Sequence, residues 1–206
     1  MRVLTVYAHP NPGSFNHAIL EQFTKGLTEA GHAPDIVDLY GIDFDPCVRL
    51  PDLAQFGGGQ MPAGVVEQQQ KVAGAEGIAL IHPIWGWSFP AILKGWMDRV
   101  FSCGFAYEAG ERGVRGLLKN RKTLVISTAG GPEEFYETAG YMDAFIKTCD
   151  GNSVSAESRS LSALACAVCK QSATTAEKNS CRKHIAWARS SSRGCPDRQL
   201  SHAHRS

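Results

Sequence analysis

Residues 1–31, MRVLTVYAHPNPGSFNHAILEQFTKGLTEAG, decide the fold. Val3 to Ala8 reads as a buried strand, and His9-Pro10-Asn11-Pro12-Gly13-Ser14-Phe15-Asn16 as a loop. His17 to about Ala30 has the apolar spacing of an amphipathic helix, which Gly31 ends. A strand, a loop and a helix in that order make a phosphate-binding unit. The first turn of a helix leaves N–H groups unpaired and carries the positive end of the dipole, so an anionic phosphate fits there. Ser14 and Asn16 are N-cap residue types whose hydroxyl and amide add donors. Taken alone, the segment reads first as an ordinary capped turn, and the rest of the chain decides for the binding unit.

Downstream, His32 to Tyr40 is short enough for a second strand, and residues 41–64 form a connection rich in Gly, Pro and Asp. Val65 to Ala75 reads as a helix. Gly77 to Ile84 is a nearly continuous apolar run, the pattern of a strand buried on both faces. Pro90 to Phe101 places Ile92, Leu93, Trp96, Val100 and Phe101 at helical spacing, with proline at a permitted first-turn position. Thr123 to Thr128 is another buried strand, closed by Ala129-Gly130-Gly131. This alternation predicts an α/β fold with a parallel, doubly wound sheet. Such sheets bind ligands beyond the carboxyl ends of their strands, where loops 9–16, 83–90 and 128–136 all fall.

The second of these loops, Pro83-Ile84-Trp85-Gly86-Trp87-Ser88-Phe89-Pro90, gathers three large aromatics around a glycine. Aromatics at a strand's carboxyl end suit a flat conjugated ligand, with backbone N–H groups addressing heteroatoms at its rim. Core packing under the following helix is the competing explanation for one of the three. In the third loop, Gly130 and Gly131 allow close backbone approach because they carry no Cβ. A lone Gly-Gly is usually only a turn, and its place on the same sheet edge gives it weight.

The stretches VLTVYAHPNPGSFNHAIL, HPIWGWSFPAILKGWMDRVFSCGFAYE and STAGGPEEFY resemble the flavodoxin-like NAD(P)H:quinone oxidoreductases, from Met1 to about Asp150. The resemblance implies that His9, Ser14, Phe15 and Asn16 hold a flavin's phosphate and ribityl region. Pro83, Ile84, Trp85, Gly86 and Trp87 would support the isoalloxazine. Gly130, Gly131 and Tyr136 would close over the ring edge, and Tyr107 would line the substrate pocket. The implied cofactor is FAD, with FMN second, and NAD(P)H is the implied co-substrate. The implied activity is hydride transfer from NAD(P)H to a quinone or similar planar acceptor, in a homodimer. Mammalian members use a His several residues beyond the equivalent of Tyr136 in proton handling. Here the nearest positions are Tyr141 and Met142, so no general acid carries over, and solvent or Tyr136 is left to supply protons. Since hydride passes directly between nicotinamide and flavin, positioning is the protein's main task. Because some relatives attach to and control potassium-efflux systems, a flavin-binding regulatory subunit is the alternative. A C-terminally defective family member is the third.

Composition breaks near Asp150. Residues 1–150 hold 12 Lys/Arg against 17 Asp/Glu, net −5, whereas residues 151–206 hold 9 against 3, net +6. Beyond Asp150 the only aromatic is Trp187, and four of the seven cysteines appear. Residues 1–150 therefore read as the flavin-binding domain and 151–206 as an atypical tail, disordered or frameshifted, lacking a normal fifth strand and last helix. Its only apolar run is Leu161 to Val168, too little to offset ordering entropy. Cys166, Cys169, Cys181 and His184 have zinc-like spacing but no apolar neighbours, and no metal site is assigned.

The formal charge of +1 gives no overall nucleic-acid signal, and the basic tail lacks the interleaved aromatics of such sites. No segment approaches the roughly 18 apolar residues of a membrane span, so a cytoplasmic protein without an integral membrane segment is expected. Cys47, Cys103 and Cys149 read as ordinary thiols of a reducing compartment. His17, His32 and His82 read as caps or packing residues.

Overall fold

The computed structural model describes residues 1–110, 113–118, 122–131, 133–153 and 165–168. The chain runs from β1 (Arg2–Tyr7) through α1 (Phe15–Glu29) to β2 (Ala33–Asp38), then through a 3-10 helix (Leu50–Gly57) and α2 (Ala63–Gly74) to β3 (Gly77–Pro83). Next come α3 (Ala91–Val100), a hairpin of β4 (Tyr107–Gly110) and β5 (Gly113–Gly116), and β6 (Lys122–Ala129). The described elements end with α4 (Glu133–Thr138), α5 (Tyr141–Ser153) and β7 (Ala165–Val168).

The main sheet has the order β2-β1-β3-β6-β7, and every pair in it is parallel. β1 leads outward to β2, and the chain then crosses back to place β3 on the other side of β1. The chain's direction of travel thus reverses between β1 and β3, which opens a crevice at their carboxyl ends. Alternation along the strands sends side chains to two cores. Tyr7, Ile81 and Ile126 meet Ile19 and Leu20 of α1 on one face. Leu4, Val6, Leu80 and Val125 meet Leu93, Trp96 and Val100 of α3 on the other. All seven residues of β3 are buried, as the uninterrupted apolar run predicts.

Two features depart from the sequence expectations. The 41–64 connection folds its middle into the 3-10 helix, and β4 pairs antiparallel with β5 where no hydrophobic periodicity announces strands. A short fifth strand, β7, lies parallel to β6 at the sheet edge. Its four residues, Ala165–Val168, come from the tail's single apolar run and pair with Ile126 to Ala129. Backbone pairing along an open sheet edge asks little of side chains, so a short Ala/Cys/Val segment suffices there. The place of a last helix, and most of the tail, lie outside the described residues.

Candidate active site

At the end of β1 the chain turns through His9 to Ser14. The His9 Nδ1 accepts from Asn11 N at 3.1 Å, and Asn11 Oδ1 accepts from Gly13 N at 2.8 Å. Ser14 is the N-cap of α1, its hydroxyl accepting from His17 N at 3.2 Å and lying 3.3 Å from the Tyr7 hydroxyl. Asn16 is not a cap. It is the second residue of the helix, 4% exposed, and its Nδ2 donates to Thr128 Oγ1 at 2.8 Å. Its Oδ1 is buried with no partner among the described residues. Phe15 packs against the α1-side core.

After β3, Trp85 and Ser88 exchange two backbone hydrogen bonds, each 3.1 Å, around Gly86 and Trp87. Both central residues have positive φ, +54 and +64 degrees, the signature of a type I′ turn. Glycine adopts that conformation freely, while an indole there is disfavoured and needs support from elsewhere. Support comes from loop 128–136 and the start of α5. Trp87 stacks on Tyr141 with centroids 4.0 Å apart and planes 8 degrees apart, and meets Phe135 at 5.6 Å and Tyr136 at 5.5 Å. Trp85 and Trp87 remain 45% and 44% exposed, whereas Phe89 is core and packs on Phe145 at 5.2 Å. Gly131 lies close under the Tyr136 ring, where a Cβ would sit 3.1 Å from the ring edge and make a tight contact.

The three loops converge, and Thr128 is their hub. Its hydroxyl takes the Asn16 amide of the first loop, and its carbonyl accepts from Ile84 N of the second at 2.7 Å. The rings of His9 and Trp85 lie 5.9 Å apart, joining the first loop to the second. Beneath them His82 is fully buried. Burial lowers its pKa from 6.5 to about 4, so the ring is neutral at pH 7. The neutral ring donates from Nδ1 to the Pro83 carbonyl at 2.8 Å and accepts at Nε2 from the Ser127 hydroxyl at 3.1 Å. It thereby ties the ends of β3 and β6. Tyr107 begins β4, where it pairs with Gly116 of β5; its carbonyl accepts from Gly104 N at 2.7 Å, it bridges to Cys103, and its half-buried side chain packs against the α3-side core.

A family model described as flavodoxin-like fold matches residues 1–152. The chain belongs to this family. Among its relatives, the ribosyldihydronicotinamide dehydrogenase [quinone] of Rattus norvegicus is 33% identical over 156 residues, covering 68% of each chain. An uncharacterized NAD(P)H oxidoreductase of Haemophilus influenzae is 34% identical over 150 residues, covering 72% of this chain and 74% of that one. Among solved structures, the NAD(P)H:quinone oxidoreductase of Methanothermobacter marburgensis superposes with a TM-score of 0.78 at 28% identity, covering 92% of this chain and 98% of that one.

Within this candidate site, sequence reasoning missed Thr128 and the packing role of Tyr141, and it read His82 only as a cap or packing residue. Thr128 carries no motif of its own, and its importance follows from register, which sets it beside Pro83. Among the described residues no three His, Cys, Asp or Glu side chains group as a metal site. Of the zinc-like set, Cys169, Cys181 and His184 lie outside the described residues.

Proposed function

We propose that the protein is a flavin-dependent oxidoreductase that takes a hydride from NAD(P)H and passes two electrons to a quinone or similar planar acceptor. The observation that carries this reading is the meeting of the three loops at the reversal of strand order, around an aromatic wall and the orphaned Asn16 Oδ1. A buried acceptor without a donor costs about 1–3 kcal/mol, and a flavin has hydroxyl and N–H donors to satisfy it. The two curated relatives described above are named as a quinone-linked dehydrogenase and an NAD(P)H oxidoreductase, in keeping with this chemistry.

A bound flavin supplies the hydride acceptor and two-electron donor. The chain's residues hold and orient it. His9, Ser14, Phe15 and Asn16 shape the phosphate and ribityl end, with Phe15 anchoring the helix start to the core. The backbone of Pro83, Ile84, Trp85, Gly86 and Trp87 faces the ring's rim, and Gly130 and Gly131 let the third loop approach it. Tyr136 closes over the ring edge, and Tyr107 lines the outer acceptor pocket. The cofactor is FAD in preference to FMN. An absorption spectrum of the purified protein with flavin bands, followed by acid release and chromatography, tests class and cofactor together. NAD(P)H oxidation with menadione tests the activity, and its absence from flavin-loaded protein overturns the enzyme reading.

Exposed Leu50, Leu53 and Phe56 along the 3-10 helix form an apolar strip, which supports a homodimer. Sedimentation at micromolar concentration checks it. No helix among the described residues is long and apolar enough to cross a membrane, and Cys47, Cys103 and Cys149, in no disulfide among the described residues, suit the reducing cytoplasm. Residues 151–206 are assigned to a shifted reading frame, a reading supported by the charge reversal and by the family match ending at residue 152. The coding DNA should then reveal, in another frame, a strand-then-helix ending.

A further inference from the structure

Tyr141, the first residue of α5, belongs to none of the groups assigned above to cofactor or acceptor. Its ring lies flat on the Trp87 indole, 4.0 Å between centroids and 8 degrees between planes. Phe135 leans on both rings, 5.6 Å from Trp87 and 5.9 Å from Tyr141. Trp87 is also where the 83–90 loop holds its disfavoured backbone, at φ +64 degrees on the tip of a two-residue turn. An indole on such a tip has free rotamers unless something fixes it. The Tyr141 face does so and still leaves Trp87 44% exposed, with ring surface free for a planar ligand.

We propose that Tyr141 is a positioning residue that acts through Trp87, holding the indole as one wall of the acceptor pocket and so setting affinity for planar acceptors. The inference rests on the functional reading above. Stacking needs the ring face and not the hydroxyl, so Tyr141→Phe retains the effect and Tyr141→Ala loses it.

The test is steady-state NADH oxidation by the flavin-loaded chain with menadione as acceptor, in wild type, Tyr141→Phe, Tyr141→Ala, Trp87→Ala and the Tyr141→Ala/Trp87→Ala double variant. Tyr141→Ala should raise the menadione KM roughly three- to tenfold, the range of an aromatic pair, with kcat within about twofold. Tyr141→Phe should restore the KM. The double variant should match Trp87→Ala alone, since a residue acting only through another adds nothing once that other is gone. An unchanged KM in Tyr141→Ala, a loss confined to kcat, a Phe variant that behaves like Ala, or additive effects in the cycle each overturn the proposal while the wild type still turns over. A wild type that holds no flavin or leaves NADH unoxidised overturns the functional reading and this inference with it. Should Tyr141→Ala fail to fold, Tyr141→Leu keeps a bulky apolar side chain without a ring face and carries the same outcomes.

Discussion

Asn16 and His82 are both buried polar side chains at the carboxyl end of the sheet, and they differ in what their partners leave undone. Asn16 has its amide held by Thr128 while its buried Oδ1 has no partner among the described residues, and the proposed reading gives that oxygen to the flavin. Asn16→Ala should therefore weaken flavin binding by about 1–3 kcal/mol, read as a rise in the dissociation constant by fluorescence titration; unchanged affinity would remove Asn16 from the site. His82 has both nitrogens satisfied and gains nothing by protonation. Its folded pKa, about 4, lies below the ordinary 6.5, so between these values the unfolded chain binds more protons. Its contribution is complete above pH 6.5 and is lost as pH falls toward 4. Between pH 7 and 5 the wild type should lose about 2 kcal/mol more stability than His82→Phe, by urea denaturation at each pH. Parallel losses would mean that the imidazole titrates alike in both states.

At the scale of elements, the 3-10 helix is held to α3 by one buried ion pair. Asp52 is fully buried, caps its own helix by accepting from Arg49 N at 2.6 Å, and receives Arg99 Nε and Nη2 at 3.1–3.2 Å. Arg99 Nη1 continues to the Asp45 carbonyl at 2.7 Å. Removing one partner leaves a buried charge unpaired, and Asp52→Ala should cost about 3–5 kcal/mol. A urea midpoint close to wild type would show that the guanidinium finds water instead. Nearby, Gly95 lets α3 approach Pro46 so closely that any Cβ would strike its backbone. The aromatic turn at 85–88 is an element of a different kind. Its backbone alone is unfavourable at Trp87, and it persists because α4 and α5 bring rings against it.

For the whole molecule, the strand order creates one crevice and so one place where nicotinamide and quinone can meet a shared cofactor. The two substrates should alternate there, and double-reciprocal plots of NAD(P)H oxidation at several menadione concentrations should be parallel. Intersecting lines would indicate a ternary complex and two separate subsites.

Much of this architecture was legible in the residues. The run Gly77 to Ile84 reads as a doubly buried strand, because successive residues without a charge have no solvent face to offer, and β3 spans all but the last of them. The alternation of such runs with helical spacing then implied the parallel sheet, and with it the edge where loops 9–16, 83–90 and 128–136 gather. Hydrophobic periodicity is local, and it reports each element's own faces. It carries no information on which side chains meet across elements. The Asn16–Thr128 bond spans 112 positions, and the Asp52–Arg99 pair 47. Those partnerships, the His82 tie between β3 and β6, and the Tyr141 stack on Trp87 depend on strand register and helix placement, which the tertiary structure alone decided. Hairpin 107–116 was hidden for the same reason: four-residue strands with mostly exposed side chains have too little burial to leave a pattern. The sequence by itself determined the order of layers and the sheet edge where the three loops meet, because burial selects residue type. Only the folded chain decided the site's contacts, because distance in space is set by packing and not by position along the chain.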